Sequence, residues 1–302
     1  MKRILTFLVA FISVVSLHAQ GDLHMFAVDN KDGKVNANMV EDAFNKAGFA
    51  IGINSHISEG LEKKYKHTDF TIYNAISVYH KKHTLDVMKK TENMGVFAPM
   101  GVSIFQRKGE DTLYISVLTS ETQAKIMGID SKILKDLEHV VTDTIMKVVP
   151  TAKHLYSEDS LEEKRDLITK FEHQLNGSDW EEAKEGIEEG IEDNLERFGF
   201  VMPSYFDFSE ELGEESPYDF MVTYSICKID VINAVSKVRP EAAAFAPCTT
   251  MVYKKKDEDK IVVGFTSVYN WLSSAAIKDK EARNQLMRAQ YDFETILKTA
   301  IR

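Results

Sequence analysis

The amino-acid sequence predicts an α+β protein of two repeated units, each in β-α-β-β-α-β-β-α order. Their antiparallel sheets should carry helices on one face, and the units should pack together as an intramolecular pseudo-dimer. Three observations lead there. A long stretch of sequence occurs twice in register, each copy carries several segments of strand-like alternation, and the second copy opens with a helical segment bearing a single apolar stripe. Val40-Glu41-Asp42 matches Ile191-Glu192-Asp193, and Gly48-Phe49 matches Gly199-Phe200. Ser58-Glu59 and Leu61 match Ser209-Glu210 and Leu212, Asp69-Phe70 matches Asp219-Phe220, and "FAPM" from Phe97 matches "FAPC" from Phe245. The offset drifts only from 151 to 148, so the two stretches read as a tandem duplication.

The elements follow in order. A short apolar segment opens each copy, "LHMFAV" in the first and "LITKFEHQL" in the second. A helix comes next. In the second copy Ser178 offers an N-cap, and Trp180, Ala183, Ile187, Ile191, Leu195 and Phe198 recur at three- and four-residue steps. Gly48 and Gly199 stand where a helix end favours positive φ. Four strand-like segments follow, "FAIGINSHI", "FTIYNAISVY", "VFAPMGVSIFQR" and "TLYISVLTS" in the first copy. Their counterparts are "FVMPSYFDF", "FMVTYSICKI", "AFAPCTTMVYK" and "KIVVGFTSV". A short helix interrupts them near Leu85 to Lys90 and Val231 to Lys237, and a long helix closes each copy, Lys132 to Val149 and Asp279 to Ile301. Charged turns at "KGED" and "KDED" imply antiparallel pairing. The domain boundaries are then 20–150 and 167–302, with a polar linker at 151–166.

The first nineteen residues read differently. "MKR", then the apolar run "ILTFLVAFISVVSL", then "LHA" before Gln20, is the layout of a cleaved secretory signal peptide. The run is short for a membrane span and none follows it, so the mature chain is expected to be periplasmic or secreted. Net charge is −10, with 44% hydrophobic and 28% charged residues. That composition supports real cores, and an acidic surface argues against nucleic acid as a partner.

At "FAPCTTMVYKKKDEDKIVVGF", preceded by "YSICKIDVINAVSK", the chain resembles the domain of unknown function family numbered 302. The resemblance extends over 23–150 and 167–302 and is better in the second copy, because the first has Ser77 and Met100 where the second has Cys227 and Cys248. It implies an antiparallel sheet with helices on one face, like half of a TATA-binding protein, and dimer-like association of such units. It implies no activity.

Candidate site residues come from side-chain parity. In "FMVTYSICKI", Phe220, Val222, Tyr224 and Ile226 share one face, and Met221, Thr223, Ser225 and Cys227 the other. In the first copy Tyr73, Ala75, Ser77 and Tyr79 make the corresponding mixed face. The apolar face should meet the helices. The mixed face is either the surface between the copies or the floor of a ligand cleft, which makes Tyr73, Ser77, Tyr79, Met100, Thr223, Ser225, Cys227 and Cys248 the cleft candidates. The two cysteines admit three readings. They can form a disulfide, whose loop of about 22 residues contributes on the order of 3 kcal/mol; they can be inert buried thiols; or they can serve redox or metal chemistry. Met100 and Cys248 occupy matched places, so a shared soft-metal or haem site is a weaker reading. His67, His80 and His83 are the weak metal candidates. No phosphate loop, nucleophile elbow or His-Glu-x-x-His is present, and no cofactor is indicated. The expectation is a non-enzymatic module binding a small molecule or an envelope protein. The alternative is a thiol-based redox or metal- or haem-binding protein using Cys227 and Cys248.

Overall fold

A computed structural model of the chain describes residues 21–162 and 165–302; the segment read as a signal peptide lies outside them. The first half contains β1 (Leu23–Asp29), α1 (Ala37–Lys46), β2 (Phe49–His56), α2 (Ile57–Tyr65), β3 (Phe70–His80), α3 (His83–Met88), β4 (Met100–Arg107), β5 (Thr112–Leu118), α4 (Ser120–Met127) and α5 (Lys135–Val148). After β6 (Lys153–Tyr156) the second half contains β7 (Ile168–Gln174), α6 (Trp180–Arg197), β8 (Val201–Asp207), α7 (Ser209–Leu212), β9 (Tyr218–Cys227), α8 (Ile229–Val238), β10 (Cys248–Lys255), β11 (Lys260–Thr266), α9 (Tyr269–Ser274) and α10 (Lys280–Ala300). A 3-10 elbow precedes β4 (Glu92–Phe97) and another precedes β10 (Pro240–Phe245). Each elbow runs into a cis Ala-Pro peptide, Ala98-Pro99 and Ala246-Pro247.

The two sheets are mixed with helices in an α+β arrangement, and every strand pair is antiparallel. The strand order is β2-β3-β4-β5-β1-β6 in the first sheet and β8-β9-β10-β11-β7 in the second. Apart from β6 the two orders correspond strand for strand. α1 lies beside α5, and α6 beside α10, on the apolar face of each sheet. The stripe on α6 is set as its spacing predicts, with Ile187, Ile191 and Leu195 buried. Its N-cap is Asp179 and not Ser178, because the Asp179 carboxylate accepts from the backbone N–H groups of Glu181 and Glu182. Gly48 and Gly199 do adopt positive φ, 92° and 74°.

Helices are not confined to one face. A second core on the inner face of the first sheet gathers Ile57 and Leu61 of α2, Phe70, Tyr73, Ala75 and Phe105 of the sheet, and Ala243 of the second elbow. That cluster is the junction of the halves, and the insertion is reciprocal. The second elbow lies across β4 and β5, while the first lies across β9 and β10. Elbow carbonyls cannot join a ladder, so hydroxyls on the opposite sheet satisfy them. Tyr73 and Ser103 donate to Pro240 O at 3.2 and 3.1 Å, and Ser116 to Glu241 O at 3.0 Å. In the other direction Thr223 donates to Ala98 O at 2.5 Å and Thr249 to Pro99 O at 2.8 Å. Each such bond contributes roughly 1 kcal/mol net, and losing a donor strands a buried carbonyl at about 1–3 kcal/mol.

The strand pairing corrects the sequence register. Cys248 pairs with Ile226 and Met100 with Val78, so Cys227 corresponds to Tyr79, and Ser77 to Ser225. The sequence match at Asp69-Phe70 is two residues off. A slip of two leaves every side chain on its own face, so alternation alone does not detect it.

Residues 151–166, expected to be a linker, contribute β6 to the first sheet. Its His154 stacks on Phe26 with ring centroids 4.5 Å apart, and its Nε2 lies 2.9 Å from His24 Nδ1. His24 Nε2 is 2.9 Å from Glu138 Oε1, which also accepts from the Ser120 N–H at 2.8 Å, while Lys135 Nζ donates to Oε2 at 2.9 Å. Lys135 also pairs with Glu121. The corresponding place in the second half has Gln290 in the position of Glu138, with the nearest carboxylate, Glu294, accepting from Gln290 Nε2 at 2.9 Å. There Gln290 Oε1 accepts from Val268 N–H and Gln290 Nε2 donates to Thr169 Oγ1, both at 2.9 Å.

Two predictions follow from this packing. A Cβ on Gly101 would stand 1.9 Å from Ala246 O, whereas one on Gly186 in α6 meets nothing within 4 Å. Gly101→Ala should therefore lose roughly 2–3 kcal/mol or more, and Gly186→Ala should gain up to about 1 kcal/mol; urea unfolding of both variants checks this. The second concerns acid. Burial opposes ionisation of Glu138, but the bonds from His24, Ser120 and Lys135 outweigh it and hold the carboxyl well below its ordinary 4.5. Burial, then His24, lowers His154 from 6.5. A lowered imidazole costs stability once the pH falls below its unfolded value, and a lowered carboxyl loses its contribution as pH falls below about 4.5. Stability should thus decline from about pH 6.5 downward and again in stronger acid. His154→Gln should lose less than the wild type between pH 7 and 5.5, and equal losses would remove His154 from the account.

Candidate ligand pocket

The mixed faces singled out by parity are spent on the junction of the halves. Tyr73 and Thr223 hold elbow carbonyls, as described above. Tyr79 donates across the junction to Glu211 Oε1 at 2.8 Å. Ser77 accepts from Ile53 N–H at 3.1 Å, and Ser225 accepts from Ser204 Oγ at 2.7 Å. β2 and β8 meet there, where a Cβ on Gly52 would stand 2.5 Å from Ser77 Oγ and 2.9 Å from Ser204 Oγ. These five residues therefore face the opposite half and its near neighbours instead of an open cleft. Their small size and hydroxyl groups, which suggested a ligand, serve close approach and carbonyl capture.

Cys227 and Cys248 are placed elsewhere. Cys227 ends β9 and Cys248 begins β10, just beyond the interlocked region, and both thiols are free. They border a slot of about 30 Å³ between the end of the sheet and α8, α9 and α10. Its walls are Phe200, Ile226, Val231, Phe265, Trp271 and Phe293 with their aliphatic neighbours. Phe293 braces it from α10, meeting the Phe200 ring edge-on at 4.8 Å and the Phe265 ring at 4.8 Å. The space would admit a water molecule or two by size, but apolar walls give water little to bond. Trp271 is 3% exposed and its Nε1 has no acceptor among the described residues. Burial pushes both thiols up to about 12, with Cys248 adding to the effect on Cys227. At neutral pH both are uncharged, the opposite of a reactive thiolate or a metal ligand.

Among the described residues lining the slot, Lys228 alone is charged. Its Nζ sits 4.7 Å from the centre of the Phe200 ring and 3.0 Å from Asp292 Oδ2. Arg288 Nε approaches the same carboxylate oxygen at 4.0 Å.

The same place in the first half is different. Met100 stands for Cys248 and Gln123 for Trp271, and the remaining cavity is about 10 Å³ with His24, Ser120, Glu138 and Thr142 in its wall. Gln123 Nε2 lies 4.0 Å from Met100 Sδ. Met100 and Cys248 thus occupy matched positions in separate halves and do not face one shared ion.

The histidine candidates do not converge. His80 and His83 have ring centroids 4.5 Å apart, but His80 Nδ1 accepts from the backbone N–H groups of Lys82 and His83. Burial and then His83 lower the His80 pKa. His67 is exposed and pairs with Asp69 at 2.8 Å. Among the described residues no group of three or more His, Cys, Asp or Glu is arranged to hold a metal ion, and no helix is long and apolar enough to cross a membrane. Sequence parity missed Trp271, Phe293 and Lys228, because α9 and α10 bring the first two in from far along the chain and Lys228 lies one residue past the strand.

Residues 173–292 match the model of the family described as domain of unknown function DUF302, and the residues lining the slot, Phe293 apart, fall within that stretch. A crystal structure of an uncharacterized conserved DUF302 protein from Bacillus stearothermophilus is similar over 46% of this chain and 100% of that one, with 16% identity and a TM-score of 0.37. No curated protein matches the chain.

The thiol environment makes a direct prediction. At pH 8 a pKa near 12 leaves about a thousandfold less thiolate than an unperturbed cysteine. A disulfide-exchange reagent should therefore modify Cys227 and Cys248 in the folded chain on the order of a thousandfold more slowly than in denaturant, where two thiols should be counted. Both side chains are half-buried, so the protection rests on the apolar surroundings of the sulfurs, and fast labelling of the folded chain would overturn it.

Proposed function

We propose that the chain is a non-enzymatic binding module whose second half admits a small apolar group into the slot bordered by Cys227 and Cys248. One observation carries this reading. At corresponding places in two sheets of the same strand order, the first half is filled by Met100 and the second is left open by Cys248. Apolar space of this kind is maintained against the pull of close packing, where each missing methylene costs stability. A binding role explains why it is kept. The redox alternative is weaker, because thiols pushed up to about 12 are poor nucleophiles and poor ligands.

The same reading treats the halves as copies of one ancestral module that now dock as two subunits of a dimer would. The matched strand orders, the constant offset of 148 along β3–β4 and β9–β10, and the reciprocal elbows support it. The charged start, apolar run and small residue before Gln20 support export to the periplasm or beyond.

Xenon, methanol and ethanol are the test, with NMR shifts at the slot as readout. The wild type should bind them saturably, with the largest shifts at the Trp271 indole, and raise its melting temperature accordingly. Cys248→Met should lose the response while keeping or raising stability. Weak, non-saturating shifts in the wild type, or equal binding by Cys248→Met, would overturn the reading.

A further inference from the structure

We propose that the junction of the halves holds a second ligand site, which takes a small organic ammonium ion with a hydrocarbon body; it is separate from the slot and stands whether or not the slot admits a guest. The second elbow covers β4 and β5, and the inner face of the first sheet continues past it to β1 and β6. A hollow of about 220 Å³ is left there, between that face, the strap 157–159 that follows β6, the start of the second elbow and the end of α9. Its size is sufficient, since an engineered cavity of about 150 Å³ takes benzene. Met25 and Tyr114, both packed against the inner core, make an apolar floor. Leu155, the partner of Met25 in the β1–β6 ladder, extends it.

The walls carry charge of one sign. Glu158, Asp159 and Glu241 line the hollow against Arg239 as the one lining cation, three acids to one base and a sum of −2. Glu241 comes from the second half and the other two from the connecting segment, so the carboxylates meet only once the halves have docked. Arg239 Nη1 stands 3.8 Å from Glu241 Oε1, outside hydrogen-bond reach, and the Glu241 side chain is 18% exposed. Burial above all, and then Asp159, holds the Glu241 carboxyl above its ordinary 4.5, against its own backbone N–H, Arg239 and Arg107. The strap is fixed in place. Ser157 Oγ accepts from Leu23 N–H at 3.0 Å, Ser157 N–H donates to Leu23 O at 2.9 Å, and Asp159 O accepts from Asp22 N–H at 3.2 Å. Across the hollow, Ser274 Oγ donates to the Asp22 carboxylate and pins the end of α9. A cation between these walls relieves the repulsion, and it is attracted more strongly there than at an open surface. The hydrocarbon floor suits an organic cation better than a bare metal ion, and among the described residues no group of three or more His, Cys, Asp or Glu is arranged to hold a metal.

The test uses the full chain, titrated at pH 7.5 by calorimetry with phenethylammonium, its neutral isostere phenethyl alcohol and the anion hydrocinnamate. Phenethylammonium should bind saturably and at least about fivefold tighter than the alcohol, hydrocinnamate should bind least, and salt should narrow the differences. Glu241→Gln should remove most of the ammonium's advantage and keep the alcohol's affinity; a neutral amide is easier to bury than a carboxylate, so this variant should fold at least as stably as the wild type. The triple variant Glu158→Gln/Asp159→Asn/Glu241→Gln should remove the advantage altogether. Cys248→Met, which fills the slot, should bind phenethylammonium as the wild type does. Equal affinity for the three probes, or no saturable binding of the ammonium, would overturn the proposal. So would an ammonium preference that survives the triple variant. Loss of the binding in Cys248→Met would move the ligand to the slot and likewise overturn a site at the junction.

Discussion

The structure depends on one constraint, that each half must present an inner sheet face thin enough for the other half's elbow to lie flat on it. Gly101 shows how tight this is, since a single Cβ there would stand 1.9 Å from the Ala246 carbonyl. The elbows are irregular backbone and arrive with carbonyls that no ladder can satisfy. Hydroxyls must therefore be supplied at the places where the elbows land, and Tyr73, Ser103, Ser116, Thr223 and Thr249 supply them. Small and hydroxyl-bearing side chains on these faces are the physical condition for two sheets to meet through irregular backbone.

That condition decides where open space can exist. Where the elbows lie, the inner faces are consumed by the junction, and the helix-facing sides of the sheets are filled by aliphatic and aromatic packing. Apart from wider and more polar hollows, apolar space is left at the margin where strands end and helices take over. Cys227 and Cys248 stand at this margin, one closing β9 and the other opening β10. There the sheet no longer dictates large side chains, and the lining comes from α8, α9 and α10. The low polarity that keeps the thiols protonated also strengthens the charge pairing of Lys228 with Asp292. An apolar slot with an ion pair at its rim is a consequence of that position, as much as of the residues themselves.

Much of this architecture was legible from periodicity. The strands, the stripe on α6, the positive-φ glycines and the paired order of elements all follow from alternation and spacing that local physics enforces. The correspondence of Cys227 with Tyr79 was not legible, because a strand pattern of period two looks the same after a slip of two residues. Nor was the departure from a one-faced helix layer, since α2 and the opposite elbow cover the inner face only after the halves have met. β6 was hidden for a related reason. "KHLY" is four exposed residues with little alternation, and it becomes a strand by pairing with the edge of β1 and through the His154 contacts to Phe26 and His24. The proposed site was half legible. The cysteines, read from the sequence, border the slot, whereas the hydroxyl-bearing strand positions are taken up by the junction of the halves, and the walls of the slot come from residues that local pattern cannot bring together.

The halves differ most where the junction constrains them least. At one equivalent position the first half holds Glu138, His24 and His154, while the second holds Gln290 and Thr169. Both sets satisfy the same backbone N–H at the start of the following helix, from Ser120 in one case and Val268 in the other. The charged set does something more, reaching out to β6 and fastening the connecting segment to the first sheet. With Met100 and Gln123 filling the adjoining cavity, the first half is closed and tied down. The set around Gln290 in the second half turns back to Glu294 on its own helix, and Cys248 in place of Met100 leaves the neighbouring space open. Two sheets of like strand order thus differ at the same place. The interlock fixes only the inner faces, which leaves the outer margins free to change without loosening the hold of one half on the other.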